Sequence, residues 1–213
     1  MTELLNPSEK AHKAHDQLLT LGSIGVRFAG VERVTQYPRG AENDAEHSFL
    51  LGLTATEMAA NYHPELNVGL VAQFSLVHDL PEVYAGDTPT FDATPEVLAR
   101  KEILEAEAIT RLLAELPPHT AQLLKRYEEQ IEPEARFVRF IDKLQPALVH
   151  ASAPEANRDI FKNTYGFTTA DEVNINRAKR TARLKEMFPE FDFIHIVRDL
   201  ISLTSNERIF DNQ

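Results

Sequence analysis

Apolar residues recur at helical spacing through nearly the whole chain, and this periodicity limits the fold more than any other feature. It is clearest in Glu134–Ala151. There Phe137, Ile141, Leu144, Leu148 and Ala151 fall at i, i+4, i+7, i+11 and i+14, which places one apolar stripe along a helix. Ala45–Tyr62 repeats the pattern, with Asn43 and Glu46 spaced as a capping box. Val68–Leu80 is apolar almost all round, as a central helix is. Pro95–Leu116 reads as a long helix with a charged outer face over a stripe of Leu98, Ile103 and Ile109. A short helix follows the break at "LPPHT", and Asp171–Phe188 and Phe193–Leu203 close the chain. No strand-like alternation stands out, and Asn-Gly or Asp-Gly hairpin turns are absent. The expected fold is all-α.

With 213 residues, one domain is expected over 1–213, with a core at about 20–150 and a helical extension at 151–213. Three stretches interrupt the periodicity. Residues 30–44, "GVERVTQYPRGAEND", read as a loop, as do residues 84–95, "YAGDTPTFDATP". Residues 152–171 read as a polar excursion suited to a lid or an oligomer contact. The net charge of −11 argues against a nucleic-acid polymer as partner, since such proteins carry a basic face. The N-terminal stretch has no apolar signal core, and no apolar run is long enough to span a membrane. A cytoplasmic location is expected. The absence of cysteine leaves histidines and carboxylates as the ligands for any metal.

The helices hold a puzzle. His78 and Asp79 end the apolar helix, and Asp142 interrupts the regular stripe of Glu134–Ala151. A buried charge costs several kcal/mol unless it is paired. A lone His on an apolar face is usually a core residue, and a lone helical Asp is usually a cap. The ordered set His47, His78, Asp79 and Asp142 is more specific. It brings two imidazoles and two carboxylates from three helices, which suits one divalent cation (Co²⁺, Mn²⁺, Fe²⁺, Zn²⁺ or Mg²⁺). The cation would pair the carboxylates. Pro81 and Pro146 lie just beyond these ligands and should kink their helices. Glu82 stands at i+4 from His78, on the same face if the helix continues. There it can take the proton of an acidified water. Gly86 could end the helix in left-handed geometry. Asp87 opens a loop in which Thr88 and Thr90 could bond a sugar or phosphate.

Three segments carry a family resemblance: "AEHS" at 45–48, "VHDLPEVYAGDTPT" at 77–90 and "FIDKLQPAL" at 140–148. Together they resemble the HD-domain metal-dependent phosphohydrolases, and within them most closely the 5′-deoxynucleotidases. The resemblance implies a helical bundle around one divalent metal held by His47, His78, Asp79 and Asp142. It implies that Glu82 activates the attacking water, that Asp87 holds the sugar, and that an arginine before the first metal helix contacts the phosphate. Arg33 is the candidate, with Arg39 or Arg27 as alternatives. It further implies hydrolysis of a small phosphorylated substrate, a nucleoside 5′-monophosphate, by a homodimer. The chain departs from that pattern in two ways. Its 30–44 loop is longer, and with no Trp it lacks the Arg-Trp pair that shapes the sugar pocket.

Other readings remain at this point. A di-iron site would need more histidines between Asp79 and Asp142 than His119 alone. A deoxynucleoside triphosphohydrolase would be expected to carry more basic residues. A cyclic-nucleotide phosphodiesterase and a non-catalytic metal- or nucleotide-binding module share the same ligand set.

Overall fold

The computed structural model describes residues 8–90 and 93–210. Helix α1 (Glu9–Phe28) is followed by strands β1 (Glu32–Tyr37) and β2 (Gly40–Asn43) and helix α2 (Asp44–Tyr62). Then come α3 (Val68–Val77), the single turn α4 (Glu82–Ala85), α5 (Pro95–Glu115) and α6 (Pro118–Glu129). The chain ends with α7 (Pro133–Ser152), α8 (Pro154–Asn163), α9 (Ala170–Met187) and α10 (Asp192–Phe210). None of these helices is long and apolar enough to cross a membrane.

Helix α7 is the axis of the bundle. Its apolar stripe buries Phe137, Ile141 and Leu144, and α2, α3 and α10 pack around it. Phe140, beside this stripe, stacks on Phe188 at 5.3 Å between ring centroids. Leu184, Phe188, Phe191 and Ile194 belong to the same apolar cluster as Leu51, Phe74 and Phe137. The C-terminal helices therefore share the core of the preceding ones. Three histidines are packing residues of the ordinary kind. The His195 ring lies beside Phe140, with its Nε2 3.0 Å from the Phe188 carbonyl oxygen. His63 meets Phe137 edge-on, and His150 meets Phe161.

Several local expectations are revised. In α5 the buried residues are Ala108 and Leu112, followed by Leu116, whereas Ile103 is exposed. The inward stripe is thus offset from the one read from the sequence. Residues 30–44 form an antiparallel hairpin rather than a loop, pairing Glu32 with Asn43, Gln36 with Ala41 and Tyr37 with Gly40. The side of this hairpin facing the helices carries Arg33, Thr35 and Glu42, all buried or nearly so, so no apolar alternation marks it. Residues 152–171 include α8, which lies along β1 and under α10. Asn157, fully buried, accepts a hydrogen bond from the Gln36 N–H at 2.9 Å and donates one to the Gln36 carbonyl at 2.7 Å. Its side-chain amide pairs with β1 as a third strand would.

Candidate metal centre

Each candidate ligand is fixed by its local backbone. Asn43 caps α2: its side chain accepts from the Glu46 N–H at 3.1 Å, and the Glu46 carboxylate accepts from the Asn43 N–H at 3.1 Å. This expected capping box sets the first turn of α2, where His47 points inward and is buried. The His47 carbonyl accepts from Gln145 Nε2 at 2.8 Å, which ties that turn to α7. Asp142 lies three residues before Gln145 on the same face of α7. The helix runs on through Pro146 to Ser152.

The connection from α3 to α4 differs from expectation in an instructive way. Regular α-helix stops at Val77. Pro81 has no N–H, and the chain continues through i→i+3 bonds from Leu80 N–H to Val77 and from Glu82 N–H to Asp79. Three residues per turn bring positions i and i+3 into line. Glu82 is therefore aligned with Asp79 rather than with His78. Gly86 then ends α4 at φ 73° and ψ 157°. The positive φ was expected, but the ψ is extended rather than left-handed helical.

These elements bring the four expected ligands together. One ligand atom from each of His47, His78, Asp79 and Asp142 lies within 4.8 Å of the others. His47 Nε2 is 3.0 Å from Asp142 Oδ1 and 3.6 Å from Asp79 Oδ2. His78 Nδ1 is 2.9 Å from the Ser75 carbonyl oxygen, an acceptor that fixes the proton on Nδ1. Nε2 of His78 then presents a lone pair. It lies 3.0 Å from Asp79 Oδ2, is fully buried and has no hydrogen-bond partner. Two lone pairs facing each other at that distance call for a positive charge between them. A divalent cation fits this donor set, and the backbone acceptor behind His78 is the usual support for a ligating imidazole.

Around the set lies a shell of charge that sequence reasoning missed in part. Glu42 and Asp44, both buried, come from the hairpin and the start of α2. Glu42 Oε1 is 3.7 Å from His47 Nδ1. Arg33, on β1, is the hub. Its Nη1 lies 2.9 Å from Asp44 Oδ1, 2.9 Å from Asp79 Oδ2 and 3.3 Å from Glu82 Oε2. Lys101 from α5 reaches Glu82 at 3.4 Å, and Lys143 reaches Asp142 at 2.5 Å. Asp87 is half-buried and Thr90 is exposed, immediately before residues 91 and 92, which lie outside the described part of the 84–95 loop. Arg27 is turned away, bonding Tyr84 on the outer surface, and Arg39 pairs with Glu46. Of the three candidate arginines, Arg33 is the one inside the site.

The ionisation pattern follows from this crowding. Burial and the Arg33 charge both pull His47 down, but the bond to Asp142 and the Glu42 carboxylate outweigh them and raise it to about 9. Burial, then the charge of Asp79, push Glu82 up to about 10, against the pull of Arg33. Burial also raises Asp44, to about 6, and raises Asp87 in spite of Arg33 and Lys101. Asp79 and Asp142 go the other way. Burial disfavours their charge, yet the Arg33 guanidinium helps to hold Asp79 below the carboxylate range, and Lys143 and His47 do so for Asp142. Two carboxylates are thus kept ionised beside two imidazoles, as metal binding requires.

Residues 28–185 match the family model described as HD domain. The chain belongs to the HD domain family. The match runs past residue 150 into α9, so the family unit includes most of what reads as an extension. Among curated relatives, the HD chain is 35% identical over 116 residues to a dATP triphosphohydrolase of Cyanophage S-2L, covering 54% of this chain and 58% of that one. It is 28% identical to the 5′-deoxynucleotidase hdd1 of Schizosaccharomyces pombe, over 61% of this chain and 63% of the relative. These alignments span less than two thirds of either relative. Human 5′-deoxynucleotidase HDDC2 matches at 28% identity over 70% of this chain and 73% of its own. A solved structure of a predicted metal-dependent phosphohydrolase from Magnetospirillum magnetotacticum MS-1 superposes with a TM-score of 0.64 at 25% identity, covering 91% of this chain and 94% of that one. The Cyanophage S-2L HD phosphohydrolase, bound to dA and one catalytic Zn²⁺, gives 0.50 at 25% identity, over 88% and 95%.

Proposed function

We propose that this chain is a metal-dependent phosphohydrolase that releases phosphate from (deoxy)nucleoside 5′-monophosphates. The observation that carries the reading is the convergence of His47, His78, Asp79 and Asp142 beside a buried Glu82. Relatives named as 5′-deoxynucleotidases support it. A divalent cation held by the four ligands would supply Lewis acidity toward the phosphoryl oxygen and acidify a water. Glu82 takes the proton of the attacking water on its carboxylate and is aimed by Arg33 and Lys101. Arg33 also offsets the charge of a phosphate dianion arriving at the site. Asp87 accepts a hydrogen bond from a sugar hydroxyl, and Thr90 adds a second polar contact at the exposed end of the same loop. A cytoplasmic location completes the proposal.

A second substrate reading rests on the dATP triphosphohydrolase relative. The lysines nearest the ligands are already engaged with Glu82 and Asp142, which favours the monophosphate. Phosphate release from 5′-mono- and 5′-triphosphates, with Mn²⁺, Co²⁺, Mg²⁺ or EDTA, separates the two. Metal-dependent release of orthophosphate from dAMP, lost in Asp142→Ala, is the expected result. Tripolyphosphate from dATP without release from dAMP would replace it with the second reading. Metal binding without turnover on either would leave a binding module.

The homodimer is proposed to form through α10. Phe193, Ile196, Leu200 and Leu203 are exposed on it at spacings of three, four and three. That is the seam of a helix that packs on another helix.

A further inference from the structure

The side chain of Tyr84 is clamped on the outer side of α4. Arg27 Nη1, from the last turn of α1, donates to the Tyr84 hydroxyl oxygen at 2.6 Å. The hydroxyl donates in turn to Glu115 Oε2, at the end of α5, at 2.5 Å. Arg111 closes the cluster from the same helix. Its Nε donates to Glu115 Oε1 at 3.0 Å, and its guanidinium carbon lies 3.7 Å from the centroid of the Tyr84 ring. The phenol thus joins α1, α4 and α5, and both of its hydrogen bonds are to charged groups, which makes them the stronger kind. Nothing in the proposed reaction uses it.

The clamp matters because of what α4 is. It is a single turn between Pro81, which has no N–H, and Gly86, at φ 73°. A helix of that length does not hold itself in water. Val83 and Ala85 have no polar side-chain atoms, so side-chain hydrogen bonds can tie the turn only through Glu82 and Tyr84. Two residues apart on a helix, these point about 200° apart and hold opposite faces. Glu82 is buried and bonded to Arg33 and Lys101, whereas Tyr84 is half-buried and bonded to Arg27 and Glu115. The inner hold weakens in turnover, because a guanidinium drawn to a phosphate dianion holds Glu82 less firmly. The outer hold involves no group assigned to the substrate, and it persists.

We infer that Tyr84 is a positioning residue for Glu82: its clamp to α1 and α5 fixes the rotation of α4 and so keeps the Glu82 carboxylate on the attacking water. The inference rests on the proposed role of Glu82 and adds to it a residue outside the metal centre. The Arg27 and Glu115 side chains are 39% and 36% exposed, and exposed ion pairs add little to stability. The clamp therefore acts on orientation rather than on the fold.

The experiment is a double-mutant cycle on the full chain, read as dAMP hydrolysis with Mn²⁺. Tyr84→Phe keeps the ring beside Arg111 and removes the hydroxyl. It is expected to lower kcat by roughly 10- to 100-fold, the scale of a misplaced catalytic group, with KM, bound Mn²⁺ and melting temperature unchanged. In a Glu82→Gln background the same substitution should cause no further loss, because no carboxylate remains to be aimed. An equal fold-loss in both backgrounds overturns the inference, since Tyr84 would then act on the fold or on another group. An unchanged kcat in Tyr84→Phe overturns it too. If Tyr84→Phe does not fold, Glu115→Gln, which removes the charged partner of the hydroxyl, takes its place in the cycle and is judged in the same way. Full turnover in Glu82→Gln alone would instead remove the role of Glu82, and no turnover in the wild type would remove the proposed function, each taking the inference with it.

Discussion

Glu82 shows how much a single residue's role depends on its neighbours. With the ligand set free of a cation, its carboxyl holds a proton at neutral pH. A positive charge beside Asp79 offsets the repulsion that contributes to this and lowers it toward the range of a working base. Glu82→Gln keeps the shape and removes the proton acceptor. Turnover should fall by roughly 10²–10⁴-fold with Mn²⁺ stoichiometry unchanged. Equal loss of metal and turnover would make Glu82 a ligand instead. His78→Ala and Asp142→Ala should show the opposite pattern, losing bound metal along with activity, as dialysis followed by elemental analysis would reveal. The four candidate ligands were legible in the sequence as an ordered set, His47, His78-Asp79 and Asp142, and through the family resemblance that the set carries, not one by one. Glu42 and Asp44 were not. They sit in a stretch that is polar throughout, so nothing about them contradicts their surroundings until the chain is folded.

At the scale of elements, the hairpin carries the largest difference between sequence and structure. Its inward face holds Arg33, Thr35 and Glu42, and a strand with a polar buried side has no period-two apolar signal to read. Its turn, "YPRG", relies on Gly40 at φ 134° rather than on an Asn-Gly pair. Helices such as α2, α3 and α7 were legible because their apolar stripes and caps are local, as in the Asn43–Glu46 box, whereas α1 and α8, polar over most of their length, were not. Glu82 lay between these cases. Its position near His78 was readable, but the tight turn forced by Pro81, which aligns it with Asp79, was not. The brace of Asn157 on β1 gives the hairpin a test. Asn157→Ala leaves the Gln36 N–H and carbonyl without their side-chain partner, which should cost about 1–3 kcal/mol, visible in urea unfolding. Because β1 carries Arg33 and β2 carries Glu42, Mn²⁺ affinity should weaken in the same variant. A stability loss with unchanged affinity would mean that the hairpin holds its site residues without help from α8.

At the scale of the whole molecule, two properties follow from charge and surface together. The exposed seam on α10 makes a defined assembly testable. Leu200→Glu should shift the particle mass in light scattering toward that of a monomer. An unchanged mass would place any contact elsewhere. The second property is the pH dependence of stability. His47 is raised from 6.5 to about 9, Glu82 from 4.5 to about 10 and Asp44 from 3.8 to about 6. A group raised on folding binds its proton more tightly in the native state. Its contribution is complete below the ordinary value and is lost as pH rises through the raised one. All three act in the same direction, so the protein held in EDTA should lose melting temperature steadily between about pH 5 and 10. Asp79 and Asp142 are lowered and act on the acid side, where their contribution disappears only as pH falls below the ordinary carboxylate range. Cation binding reverses the alkaline trend, because His47 must release its proton to ligate. The rise in melting temperature produced by Mn²⁺ should therefore grow from pH 6 to 9. Thermal scans with EDTA and with Mn²⁺ across that range measure both slopes on one sample. A Mn²⁺-induced shift that stayed constant with pH would mean that His47 gives up no proton on binding, and so is not a ligand.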